Sequence, residues 1–217
     1  MTGIDISPRQ NFDFATKSKD ASGKVLLIAC GALAREIIDL IEVNDWSTYD
    51  VTCLPAKWHN TPGLIVDGVR NKIHTAKNQY TKIFVVYGDC GTGGLLDKML
   101  QEEGVERIEG PHCYAFFSGK DMVAQHQDDD ITSFFLTDYL ARHFEKLVWE
   151  GLGMDRHPHL LEDYFGNYKK VVYLAQTEDE GLKAKAKAAA EKLKLAYEYR
   201  FTGYGELQSE LIKRSSR

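Results

Sequence analysis

Apolar residues in this chain fall in short unbroken runs, separated by longer stretches with helical spacing. Lys24–Ala29, Ile83–Tyr87 and Val171–Ala175 are too short for helices and too continuously apolar for half-exposed strands, so they read as strands buried on both faces. Tyr49–Leu54 and Leu195–Phe201 read as further strands, and Arg107–Glu109 as a brief one. Between them, Leu33, Ile37, Leu40 and Ile41 share one helical face, as do Leu64, Ile65, Val69 and Ile73 within Gly63–Gln79. A third helix runs to Glu103, and Phe134–Trp149 reads as an amphipathic helix with Thr137 or Asp138 near its start. Leu152–Asn167 holds a short helix ending at Gly166. Glu180–Leu193 is an alanine- and lysine-rich helix entered through a Gln176–Asp179 turn and cap. Strands alternating with helices predict an α/β class: a doubly wound, mostly parallel, Rossmann-like sheet with helices on both faces and right-handed crossovers. The expected organisation is one domain over residues 24–207, a flexible tail over 1–23 and a fraying tail over 208–217.

Bulk properties narrow the classes of function. The chain has 217 residues, enough for one sizeable α/β domain, with 43% hydrophobic and 27% charged residues, the balance of a soluble globular protein. A formal net charge of −5 argues against a nucleic-acid partner, whose phosphates need a clustered positive field. No segment approaches the roughly 18 apolar residues of a membrane span. The start, MTGIDISPRQNFDF, lacks the basic and apolar regions of a secretory signal. A cytoplasmic location is expected, with the four cysteines as thiols. Asp128-Asp129-Asp130 reads as a solvated loop, and Asp138 with Arg142 as an i, i+4 ion pair.

The chemistry gathers around Lys82–Gly94, KIFVVYGDCGTGG, in which a buried strand leads into an acid, a thiol and four glycines before a helix begins. Ligands of open α/β sheets bind at such carboxyl ends of strands. Cys30, Cys53, Cys90 and Cys113 each follow a predicted strand, and His59 and His112 stand near them. Thiolate and imidazole are the donors zinc prefers, at about 2.3 and 2.0 Å. No CxxC pair occurs, so the pattern is unlike a zinc finger and closer to a site assembled from separate strand ends. Buried cysteines also serve as small core hydrophobes, and Cys53, inside its strand, is the weakest member of the set.

The segments CGALAREI (30–37), LPAKWHNTP (54–62), YGDCGTGG (87–94), GPHCY (110–114), FFLTDYLARHF (134–144), YFGNY (164–168), YLAQT (173–177) and TGYG (202–205) together resemble the DUF1638 family of bacterial and archaeal proteins. The resemblance runs from about Lys24 to Leu207 and implies that Cys30, His59, Cys90 and Cys113 are shared positions. Some members occur near methylamine and corrinoid methyltransferase systems. This implies one-carbon or methylated-amine metabolism, and a corrinoid or methyltransferase protein as partner.

Four functional expectations follow. The first is a metal-dependent enzyme acting on a small molecule. Cys30, His59, Cys90 and Cys113 would bind zinc, or the three cysteines a [4Fe-4S] cluster, with Asp89 as general base, His112 as acid or orienting donor and Arg35 holding a substrate carboxylate. The second is a carrier that holds metal or corrinoid without turnover. The third is an anion or nucleotide cradle at Gly91, Thr92, Gly93 and Gly94, although the loop has neither the lysine of a P-loop nor a GxGxxG pattern. The fourth is a thiol enzyme with Cys90 as nucleophile, alkylated without any bound metal. A homo-oligomer is compatible with each.

Overall fold

The computed structural model describes residues 15–16, 21, 23–118 and 131–215. The α/β class and the mostly parallel pairing are as expected, but the strands form two sheets instead of one. The chain correspondingly gathers into two compact units, residues 1–112 and 113–217.

The first unit holds β1 (Ala15–Thr16), β2 (Val25–Cys30), α1 (Ala34–Val43), β3 (Tyr49–Leu54), α2 (Gly63–Ala76), β4 (Lys82–Val86), α3 (Leu95–Glu103) and β5 (Glu106–Arg107). Its sheet runs in the order β1-β3-β2-β4-β5. β2 lies parallel to both neighbours, with Ala29 beside Cys53 on one side and Val86 on the other. The apolar runs follow from this position: Leu27, Ile28 and Ala29 are buried on both faces. The chain moves from β2 to β3 in one direction and then returns past β2 to β4. Right-handed crossovers therefore put α1 on the opposite face from α2 and α3. The expected tail is ordered at one point, since Ala15 and Thr16 pair antiparallel with Thr52 and Val51. That pairing covers the edge that β3 would otherwise expose. Residues 1–14, 17–20 and 22 of the predicted tail and the Asp128–Asp130 loop lie outside the described residues. At the amino end of the sheet, buried Asp50 accepts from Lys24 Nζ (3.2 Å) and Tyr80 Oη–H (3.0 Å).

Among the described residues no further strand joins beyond β5, whose pairing with β4 lasts two residues. The Arg107 side chain then donates to the carbonyls of Tyr87 (3.3 Å), Ile108 (2.8 Å) and Gly110 (3.2 Å), turning the backbone away from the sheet.

The second unit contains β6 (Ser133–Leu136), α4 (Asp138–Arg142), a π-type turn (Glu145–Trp149), α5 (Leu160–Phe165), β7 (Lys170–Ala175), α6 (Glu180–Leu193), β8 (Ala196–Phe201) and α7 (Gly205–Ser215). Its strands are parallel in the order β6-β7-β8. The helix expected over Phe134–Trp149 is corrected here. Ser133–Leu136 pairs with Lys170–Tyr173 as a strand, and the helix starts only where Thr137 Oγ accepts from Leu140 N (3.3 Å). The tail expected to fray from residue 208 is instead most of α7, anchored by buried Leu207 and Leu211. Among the described residues no helix is long and apolar enough to cross a membrane.

Candidate functional site

The strand order of the first unit reverses between β2 and β4, and the crevice outside such a reversal is where open α/β sheets bind ligands. Cys30 is the last residue of β2, and Cys90 lies four residues beyond β4. His59 comes from the short 3₁₀ turn Ala56–Asn60 that follows β3. Trp58 fixes that turn by packing against α2 at Gly68, where a Cβ would come within 2.2 Å of the indole. Three of the predicted residues are thus delivered to one mouth.

The His59 imidazole lies within hydrogen-bonding reach of the Cys90 thiol. Hydrogen bonding to that sulfur holds the imidazole pKa above its usual range, partial desolvation of the ring pulls it back, and negative charge at Cys90 and Cys30 raises it further. His59 itself is exposed while Cys90 is buried, so the imidazole is the solvent-side partner of a covered sulfur. Cys90 sits at φ 49°, a left-handed conformation that costs a residue with a Cβ about 1 kcal/mol or more. Two bonds over-determine it. Asp89 N–H donates to the Gly110 carbonyl (3.1 Å) and Cys90 N–H to the Pro111 carbonyl (2.9 Å), so residues 110–112 run alongside the loop. At Gly88 any Cβ would lie 2.7 Å from the His112 carbonyl carbon, which is why the approach needs glycine. His112 is therefore placed beside the turn through its backbone.

The glycine loop is already engaged. The Asp89 carboxylate accepts from Thr92 Oγ–H (2.7 Å) and from the N–H groups of Gly94 (2.8 Å) and Gly93 (3.1 Å). These bonds, led by Thr92, and the charge of Arg107 hold Asp89 below the usual carboxylate range. The amides expected to cradle a phosphate thus bind the chain's own carboxylate. The residue expected as a base is held ionised by donors, which weakens it in that role. Arg107 was not singled out from sequence. Its guanidinium spans Asp97 in the first turn of α3 (2.5 and 2.9 Å) and the carbonyls behind Cys90, locking the end of β4 to the helix. An arginine in a two-residue strand carries no sequence signal for this role.

The other predicted residues are more dispersed. Cys53 is buried in β3 with its pKa pushed up to about 12, first by burial and then by Cys30, which fits its low rank as a site residue. Arg35 is exposed at the second position of α1. Cys113 is half-buried and opens the second unit. Among the described residues, no group of three or more His, Cys, Asp and Glu side chains is gathered closely enough to hold a metal ion. In the second unit, Asp138 is not the surface ion-pair member that its spacing suggested. It is buried at the carboxyl ends of β6 and β7 and accepts from Tyr173 Oη–H (2.7 Å), Gln176 N–H (3.0 Å), Thr177 N–H (3.0 Å) and Thr177 Oγ–H (2.6 Å).

No curated protein matches the chain. Among solved structures it is similar to one from Lactobacillus plantarum described as a carboxylesterase, at 8% identity. The match covers 92% of this chain and 88% of that one with a TM-score of 0.26, too low to support any argument about fold or chemistry. The DUF1638 pattern, described as a protein of unknown function, matches residues 53–211, from the end of β3 through most of α7. With most of its length inside that match, the chain belongs to the DUF1638 family.

Proposed function

We propose that the protein is a thiol-dependent enzyme acting on a small molecule at the mouth of the first sheet, with Cys90 as nucleophile and His59 as its proton partner. The observation that carries this reading is the pairing of an imidazole with a buried thiol, brought within hydrogen-bonding reach from two different loops, at the point where the strand order reverses. In the reaction, His59 takes the thiol proton and the sulfur electron pair forms a bond to an electrophilic carbon. The displaced group leaves with that carbon's former bonding pair and receives the proton from His59. Water then attacks the same carbon, passes a proton to His59, and the thiolate leaves and is reprotonated. The strained backbone at Cys90 supports the assignment, since such residues cluster where a side chain must be presented in one orientation.

Cys30 favours a second reading. Its charge acts on His59 and on Cys53, so three donors from three successive strand ends lie in electrostatic reach of one another. Zinc suits thiolate and imidazole donors, a [4Fe-4S] cluster would draw on the cysteines, and a carrier serving a methyltransferase system would use the same residues. One experiment separates the two readings. Protein purified without oxygen is analysed for metal and by absorption, beside Cys90→Ala, and both are treated with iodoacetamide and mapped by mass spectrometry. The thiol reading expects metal-free protein alkylated first at Cys90, with His59→Gln slowing that reaction severalfold near neutral pH. About one zinc, or an iron–sulfur absorption, lost in Cys90→Ala would replace it with the metal reading. Metal-free protein whose Cys90 stays inert would remove both.

A further inference from the structure

We propose that β8, the open edge of the second sheet, is a self-association surface on which a second copy of this chain pairs antiparallel about Tyr199. It stands whether or not Cys90 is a nucleophile. The β3 edge of the first sheet is covered by Ala15 and Thr16, whereas β8 ends the order β6-β7-β8 with no strand beyond it among the described residues. Ala196 N–H donates to the Lys169 carbonyl (3.2 Å) and Thr202 N–H to the Ala175 carbonyl (2.9 Å), so the even-numbered residues turn their backbone groups towards β7. Alternation then points the N–H and C=O groups of Tyr197, Tyr199 and Phe201 outward, where no described strand meets them. Proteins that keep such an edge single blunt it with proline, a bulge or unmated charge. β8 has no proline, pairs with β7 residue for residue from Ala196 to Phe201, and leaves Phe201 54% exposed.

Backbone direction and charge together select the occupant and its register. In an antiparallel pair, residues whose backbone groups face the new strand lie opposite one another as bonded pairs. Tyr199 can therefore face Tyr197, Tyr199 or Phe201 of a second copy. Opposite Tyr197, Glu198 would meet the partner's Glu198; opposite Phe201, Arg200 would meet the partner's Arg200. Like charges directly opposed are destabilising. Opposite Tyr199, each Glu198 meets the partner's Arg200, twice by the two-fold symmetry and at the closer, non-bonded positions. The same register uses all three outward residues of both strands, for about six interchain bonds at two per bonded pair, and sets Tyr197 across from the exposed Phe201. The charges are already held at this edge, since Glu198 accepts from Lys170 Nζ (2.6 Å) and Arg200 Nε (2.5 Å) within one chain. Glu-x-Arg read backwards is Arg-x-Glu, so β8 is complementary to itself, and that fit names a second copy over an arbitrary peptide.

Sedimentation of the full chain across a dilution series, with amide exchange read at both ends of it, tests this. A monomer–dimer equilibrium is expected. The amides of Tyr197, Tyr199 and Phe201 are protected at high concentration and open on dilution, while those of Glu198 and Arg200, turned towards β7, stay protected at both. Glu198→Arg and Arg200→Glu each weaken self-association by about tenfold or more, because two like-charge contacts replace two opposite ones. An equimolar mixture of the two variants associates again, since each strand then faces opposite charge. The exchange pattern of wild type stands if a variant does not fold. A monomer at every concentration overturns the proposal, and outward amides protected in that monomer would assign the edge to another segment of the same chain. A dimer whose outward amides stay open, or one that both variants leave unchanged, places the association elsewhere and overturns it too. A mixture of the variants that stays monomeric overturns the register about Tyr199.

Discussion

At the scale of single residues, the loop after β4 separates two roles that its sequence merges. Asp89 and Cys90 are adjacent, yet the carboxylate turns back to bind Thr92, Gly93 and Gly94 while the thiol meets His59 from another loop. The His59 bond has a pH consequence. Its folded pKa is raised above the unfolded value of about 6.5, so its contribution to stability is fully present below about pH 6.5 and is lost as pH rises through the folded pKa. The difference in urea midpoint between wild type and His59→Gln is therefore expected to be largest in mild acid and to shrink towards alkaline pH. A difference that grows with pH would mean that a neutral imidazole accepts the thiol proton, rather than an imidazolium donating to a thiolate. Sequence reading placed Cys30, His59 and Cys90 together because buried runs marked the strand ends. It did not reveal that the glycine amides were taken, since a short acid within reach of following N–H groups looks the same whether it binds them or faces solvent.

At the scale of elements, Phe134–Leu136 shows where periodicity fails. Phe-Phe-Leu followed by Thr-Asp fits either the apolar face of a helix or a short buried strand that ends in a cap, and local pattern does not choose between them. The choice is made by β7, which pairs with Ser133–Leu136 residue for residue, and by Thr137, whose hydroxyl starts the helix afterwards. Asp138 fastens the same junction. Its four donors come from β7 and from the turn beyond it, so one carboxylate ties α4 to the carboxyl end of the neighbouring strand. Asp138→Asn keeps the shape but turns an amide N–H₂ towards at least one of those donors. A buried donor left without an acceptor costs about 1–3 kcal/mol. The variant is expected to lose stability of that order in urea unfolding, more than Thr177→Ser, which keeps the hydroxyl. Equal losses in the two would mean that the carboxylate contributes little.

At the scale of the whole molecule, the apolar runs were legible but their grouping was not. β2, β4 and β7 look alike as sequence, and nothing in them says that β7 belongs to another sheet. The division comes from pairing and from polar ties such as Arg107, which only appear once the chain is folded. The backbone at Cys90 also sets the proposed nucleophile against the stability of the chain. In ordinary positions alanine is better tolerated than glycine, because glycine has more freedom to lose on folding. At φ 49° that ranking should invert, with Cys90→Gly more stable than Cys90→Ala by about 1 kcal/mol in equilibrium unfolding. Drift towards glycine at this position would then meet no resistance from folding, and a cysteine would persist there only through selection for what its sulfur does.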